Sequence, residues 1–157
     1  MDEQNIDVVI DNVRALLRVG LVLTCEDKIL LVIEEEKDFL GLPSGRVQAG
    51  ESTEDAIQRE IKEELDCKID GVELGHIAEN FTVMKNGRTL QEVFFVYYAD
   101  IDKNHPLAQK QDFLILDAPK EKCHWFEMSD LKNHKIKKGL RDFLVKGKKG
   151  ISHLVTK

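Results

Sequence analysis

Proline, cysteine and tryptophan are scarce in this 157-residue chain, which has three, three and one of them. Cys25, Cys67 and Cys123 are an odd, widely spaced set with no Cys-x-x-Cys pair. That argues against a disulfide framework or a zinc site and for reduced thiols in a cytoplasmic protein. No uninterrupted apolar run approaches the roughly 18 residues of a membrane span. Met1-Asp2-Glu3-Gln4-Asn5 carries acid where a secretory leader carries Lys or Arg. No membrane association is expected. Basic residues are outnumbered, 23 Lys and Arg against 29 Asp and Glu, and the net charge of −6 leaves no general positive field for nucleic acid. Repeats, low-complexity tracts and linkers are missing too. At this length the expectation is a single domain over residues 1–157.

What is present is an ordinary globular pattern. Leu16–Thr24 and Lys28–Ile33 are Leu/Val/Ile-rich and read as strands joined by a tight turn at Cys25-Glu26-Asp27, a hairpin. Gly41-Leu42-Pro43-Ser44-Gly45 punctuates the chain, and Gly50 bends it again. Ser52 caps a helix to about Leu65, with Asp55 as a weaker form of the capping box. Further strands are expected at Val72–Thr82, Glu92–Ile101 and Cys123–Phe126, and helical pieces at Ser129–His134 and Lys138–Val145. Asp112–Pro119 is ambiguous. Between Lys132 and Lys149 lies a basic stretch opposed only by Asp142, read as a solvated face or, alternatively, as a rim attracting polyphosphate. Hairpins with a mid-chain and a terminal helix imply a mixed sheet with helices packed on it.

The chemistry concentrates in the mid-chain helix. With Glu60 at zero on a wheel of about 100° per residue, Glu63 and Glu64 fall at roughly −60° and +40°. Ile57, Ile61 and Leu65 make an adjoining apolar stripe. Three carboxylates thus share one side along the core margin, where like charges at i, i+4 destabilise a helix. A hard dication such as Mg²⁺ relieves that conflict. A solvated acidic face is the competing reading of three clustered glutamates.

The surrounding spacing decides between them. Gly45, Glu51 and the run Arg59-Glu60-Ile61-Lys62-Glu63-Glu64 resemble the Nudix box. Six fixed residue types at typical frequencies coincide at a given start about once in 10⁷. Leu42-Pro43-Ser44-Gly45 and Trp125-Phe126 also look like family features. The resemblance departs at Asp66 and Ser44, where many members have Gly. Asp tolerates the left-handed helix end less well than Gly but better than most residues.

What the resemblance implies is a Nudix-type α/β/α sandwich with a mixed β-sheet, of the α+β class. It also implies a MutT-like hydrolase cleaving a pyrophosphate linkage in a nucleoside di- or triphosphate derivative with Mg²⁺ or Mn²⁺. A non-catalytic nucleotide sensor on the same fold is the alternative, and a homodimer is compatible with the family. The expected partner is a small nucleotide. Glu60, Glu63 and Glu64 are the expected metal ligands, with a carbonyl of Ser44 or Gly45, and Glu60 is the favoured base. Arg59 is expected to orient an acid. Glu51 is a partner for Arg59 or a catalytic part. Glu92, opening an apolar strand, is a candidate metal carboxylate from outside the box. Arg14, Arg18 and Arg88 are left between phosphate contacts and surface pairs, and Phe81, Trp125 and Phe126 between base stacking and core.

Overall fold

A computed structural model describes residues 4–137, 139–146 and 150–157. Its spine is β2 (Val13–Cys25), in which Val19 to Leu23 are consecutively buried. An apolar run of that kind suits a strand covered on both faces. Alternation divides it: Val19, Leu21 and Leu23 pack with Ile57, Ile61 and Leu65 of α1 (Thr53–Leu65). Val22 packs on the opposite side with Phe94, Val96, Leu140 and Phe143, the last two from α2 (Leu140–Lys146). The result is helix, mixed sheet, helix.

Preceding β2 is β1 (Asp7–Ile10), and following it are β3 (Lys28–Glu34) and β4 (Ser44–Arg46). After α1 come β5 (Glu73–Val83), β6 (Thr89–Asp100), β7 (Asp112–Ile115), β8 (Ala118–Glu127) and β9 (Ser152–Thr156). The sheet order is β7-β8-β3-β2-β6-β5-β9, with β1 and β4 paired to β2. Strands β2 and β6 run parallel from Val13↔Thr89 to Thr24↔Asp100.

The expected β2–β3 hairpin is only a tip. The two strands pair at Thr24↔Ile29 and Cys25↔Lys28, after which β3 leaves to pair β8 from Lys28↔Glu127 to Glu34↔Glu121. Into the gap β2 takes β4 as its neighbour, through Arg18↔Arg46, Val19↔Gly45 and Gly20↔Ser44. This splaying positions the site, because it seats the Gly/Pro segment against the flank of α1.

Other expectations need adjustment. Asp112–Pro119 resolves into β7 and the start of β8, the turn falling at Leu116-Asp117. Ser129–His134 is a 3-10 turn over Met128–Asn133. The last helix begins at Leu140; Lys138, where its start was expected, lies outside the described residues, as do Lys148 and Lys149 of the basic stretch. β1 and β9 were not anticipated, since each is short and half exposed. Ser52 caps α1 as expected, its Oγ accepting from Asp55 N at 3.0 Å. Asp66 ends the helix in the left-handed region at φ 52, its N–H donating to Lys62 O, so the helix stops in the geometry that Gly favours. No helix among the described residues is long and apolar enough to cross a membrane.

Candidate active site

α1 buries its apolar stripe and carries two of its three glutamates inward with it. Glu60 and Glu64 are each only 8% exposed, whereas the Glu63 side chain is 46% exposed. The wheel placed all three on one side; the structure separates the exposed edge of that side from its buried centre. Glu63 reaches back to Arg59, whose Nη1 donates to Glu63 Oε2 at 3.1 Å.

Arg59 is the hub. Its Nε and Nη2 grip Glu51 in two parallel bonds of 2.8 and 2.9 Å, Nη1 donates to Glu60 Oε1 at 2.7 Å, and Nη2 also reaches the Arg46 carbonyl at 2.9 Å. Of the two roles open to Glu51, the pairing with Arg59 is therefore formed. The Arg59 guanidinium holds the Glu51 carboxyl below its usual range, and Glu51 in turn raises Arg59. This clamp ties the loop before the helix, the end of β4 and the carboxylate-bearing face of α1 to one planar group.

Glu60 leans against Gly45 so closely that a Cβ at that position would lie 1.9 Å from its carboxyl carbon. Burial pushes the Glu60 pKa up, while Arg59 opposes it. Glu64 is pushed further, to about 9, by burial first and then by Glu60, Asp117 and Glu121. The Ser44 backbone N–H opposes these by favouring its charged form. Glu64 Oε2 is buried without a hydrogen-bond partner.

Two of these acids were missed by sequence reasoning. Asp117 sits on the β7–β8 turn and Glu121 on β8. A signal for Glu121 did exist: strand alternation puts Glu121, Cys123 and Trp125 on one face, and Cys123 and Trp125 belong to the core cluster beneath α1. An acid in that register points toward the helix.

The donor set suits a hard dication: two buried carboxylates, an unpartnered oxygen and neighbouring acids, all oxygen. Among the described residues no three acidic, imidazole or thiol side chains form a group that would hold an ion unaided. Mg²⁺ commonly takes one or two carboxylates and completes its shell with water and phosphate oxygens, so a pair such as Glu60 and Glu64 would suffice as the protein's share.

Glu92 stands apart from this group. Its Oε2 accepts from Arg18 Nη1 at 3.3 Å and its Oε1 from Asn80 Nδ2 at 3.0 Å, so both oxygens are engaged. Arg18 Nη2 donates to Ser44 Oγ. The hydroxyl that replaces the family's glycine thus anchors an arginine, and the Ser44 backbone N–H faces Glu64. These residues line a cavity of about 90 Å³ with Lys37, Phe39, Phe94, Lys137 and Phe143. A larger cavity of about 650 Å³, lined by Thr24, Ile29, Asp100 and Met128 among others, lies toward the β2–β3 tip and contains none of the clustered acids.

Arg14, Trp125 and Phe126 are engaged elsewhere in the fold, and Arg88 is exposed. Arg14 forms a bidentate pair with Asp7 at 2.8 and 2.6 Å. Trp125 is core and donates to the Leu107 carbonyl at 3.1 Å, and Phe126 belongs to the opposite core cluster. Phe81 is partly buried on β5, with Lys157 Nζ 5.9 Å from its ring centroid.

A sandwich with an acid-lined helix flanked by a glycine turn defines a class, and comparison with known proteins assigns it. The NUDIX domain model matches residues 15–146, and the chain belongs to the Nudix family of acid-anhydride hydrolases. It is 26% identical over 138 residues to the uncharacterized Nudix hydrolase YvcI of Bacillus subtilis, covering 84% of this chain and 80% of that one. A Caenorhabditis elegans protein bearing the name of a nudix hydrolase is 31% identical over 122 residues, which are 76% of this chain. The match spans only 30% of that longer protein. Among solved structures, the MutT protein of Bacillus halodurans superposes with a TM-score of 0.68 at 16% identity, over 88% of this chain and 89% of that one. That likeness concerns the fold.

Proposed function

We propose that this chain hydrolyses a pyrophosphate linkage in a nucleoside di- or triphosphate derivative, with Mg²⁺ or Mn²⁺ held by Glu60 and Glu64. The observation that carries the reading is Glu64: a buried carboxyl with an unpartnered oxygen, surrounded by Glu60, Asp117 and Glu121. A buried acid among acids destabilises a fold unless a cation occupies the site.

When bound, the dication supplies charge neutralisation for the phosphates and acidifies a water. The side chains do the rest. Glu60 takes the proton of the attacking water as its oxygen bonds to phosphorus, and the bridging P–O bond breaks with its electrons on the departing phosphate. Arg59 fixes the Glu60 carboxyl and opposes the burial that raises its pKa, which favours the ionised form a base requires. Glu51 locks Arg59 in that orientation. Glu63, exposed at the rim, has a supporting place beside Arg59.

The test is release of phosphate or pyrophosphate from a nucleotide panel with and without Mg²⁺. Wild-type protein should turn over at least one nucleotide in a metal-dependent way, and Glu64→Gln should lose that turnover while remaining folded. Undiminished activity in Glu64→Gln removes the proposal. Tight nucleotide binding by wild type with no release at any metal concentration favours the sensor instead.

A further inference from the structure

Beside the acidic centre the chain places a cation in the opposite predicament. The small cavity is lined by three basic side chains, Arg18, Lys37 and Lys137. Two are neutralised: Arg18 pairs with Glu92, and Lys37 with Glu34. Among the described residues Lys137 Nζ makes no hydrogen bond and no ion pair, although its backbone is fixed by bonds of 3.0 Å from its N–H to Leu40 O and from Leu140 N–H to its carbonyl. Much of its wall is apolar, from Phe39, Leu42, Phe94 and Phe143. Burial first, then Arg18 and Lys37, disfavours its charge, and Glu92 and Glu34, each already paired to those two cations, offset this only in part. An unpaired ammonium in such a place lowers stability, as does the unpartnered Oε2 of Glu64. Glu64 calls for a cation and Lys137 for an anion, and Ser44 stands between them, its N–H toward Glu64 and its Oγ on Arg18.

We infer that Lys137 is a phosphate-binding residue of this enzyme, which with Arg18 seats an anionic group of the substrate adjoining the hydrolysed anhydride. The cavity's size limits what enters. At about 90 Å³ it falls well below the several hundred that a nucleoside-sized ligand fills, so it takes a phosphate rather than a base. Arg18 has a guanidinium already oriented by Glu92, Ser44 and the Phe94 ring, 5.5 Å from its carbon. Phosphate recognition by a fixed guanidinium beside a mobile ammonium is chemically well matched. The inference rests on the active site proposed above but concerns binding, so the two can fail separately.

The experiment measures binding of inorganic tripolyphosphate by calorimetry, with and without Mg²⁺, alongside thermal unfolding, in wild type, Lys137→Met and Lys137→Arg. Lys137→Met should weaken tripolyphosphate at least tenfold and also raise the unfolding temperature, because it removes an unpaired, half-buried charge. Lys137→Arg should stay within about threefold of wild type, as a retained positive charge predicts. On nucleotides, Lys137→Met should raise KM with little change in kcat, the mark of lost ground-state binding. Unchanged tripolyphosphate affinity in Lys137→Met overturns the inference. So does weakened binding with a lowered unfolding temperature, which would make Lys137 a packing residue. If wild type binds tripolyphosphate in this Lys137-dependent way yet hydrolyses no nucleotide, the inference stands and the proposed activity falls.

Discussion

The carboxyl of Glu60 occupies the space in which any residue other than glycine at position 45 would carry its Cβ, 1.9 Å from the Glu60 carboxyl carbon and Oε1. β4 and α1 are thereby locked face to face at their most acidic point. Gly45→Ala must push Glu60 out of its bond with Arg59 or separate β4 from the helix. Overpacking of this kind costs about 1–3 kcal/mol. The same shift misplaces the proposed base, and displacement by an ångström commonly lowers turnover about 100-fold. Denaturant midpoints and kcat for Gly45→Ala should both fall. A variant with wild-type kcat would show that Glu60 needs no such seat.

Glu64 gives the pH dependence. With a folded pKa of about 9, above the ordinary glutamate value of 4.5, the metal-free fold binds a proton that the unfolded chain has released. Stability from this group is fully present below the unfolded pKa and declines as pH rises toward about 9. Protein stripped with a chelator should therefore lose stability from mildly acidic to alkaline pH, and Mg²⁺ should flatten the decline. Glu64→Gln should remove the slope and raise the metal-free melting temperature by about 2–4 °C per kcal/mol relieved. Melting curves across pH, with chelator and with Mg²⁺, check all three. A slope that survives in Glu64→Gln assigns it to another group.

The fold and the box were legible for a shared reason. Ser52, the Ile57-Ile61-Leu65 stripe and the spacing from Gly45 to Glu64 are local signals, and α1 follows them from cap to αL end. What was not legible depends on contacts remote in the chain. Nothing near Lys28 announces that β3 leaves β2 after two residue pairs, because the reason is β8, far along the sequence. Lys137 read as one lysine of a basic stretch, either a solvated face or a rim attracting polyphosphate, and only the fold sets it in a cavity with Arg18, Ser44 and Glu92 from β2, β4 and β6. Glu92 read as a candidate metal carboxylate, and only the fold brings Arg18 and Asn80, from β2 and β5, onto its two oxygens.

Lysine should not substitute for Arg59. Its guanidinium donates simultaneously to Glu51, Glu60, Glu63 and the Arg46 carbonyl, with side-chain exposures of 22% for Arg59 and 14% for Glu51. An ammonium cannot reproduce the two parallel bonds to Glu51 and still reach Glu60. Arg59→Lys should destabilise by about 1–3 kcal/mol through the polar groups it leaves unmatched. Activity should fall about 10–100-fold, as for loss of a residue that orients a metal ligand. Urea unfolding with steady-state kinetics measures both, and a fully active Arg59→Lys would reduce the clamp to an electrostatic anchor.

Glu92 separates two roles that sequence alone left open. A metal carboxylate there would make Glu92→Gln lose Mn²⁺ affinity. The structure gives both its oxygens to Arg18 and Asn80, and Asn80 Oδ1 in turn accepts from Thr156 of β9 at 2.8 Å. Its work on this reading is to aim Arg18 at the cavity beside Ser44. Glu92→Gln keeps a carbonyl for one neighbour but removes the charge that holds the guanidinium, so Arg18 should swing and substrate binding should weaken. We expect Mn²⁺ affinity, followed by titration of the metal alone, to stay within about twofold of wild type, since the ion is assigned one or two other carboxylates. KM should rise about tenfold, corresponding to roughly 1.4 kcal/mol of lost binding, with kcat little changed. A fall in Mn²⁺ affinity with KM unaltered would reverse the assignment and return Glu92 to the metal.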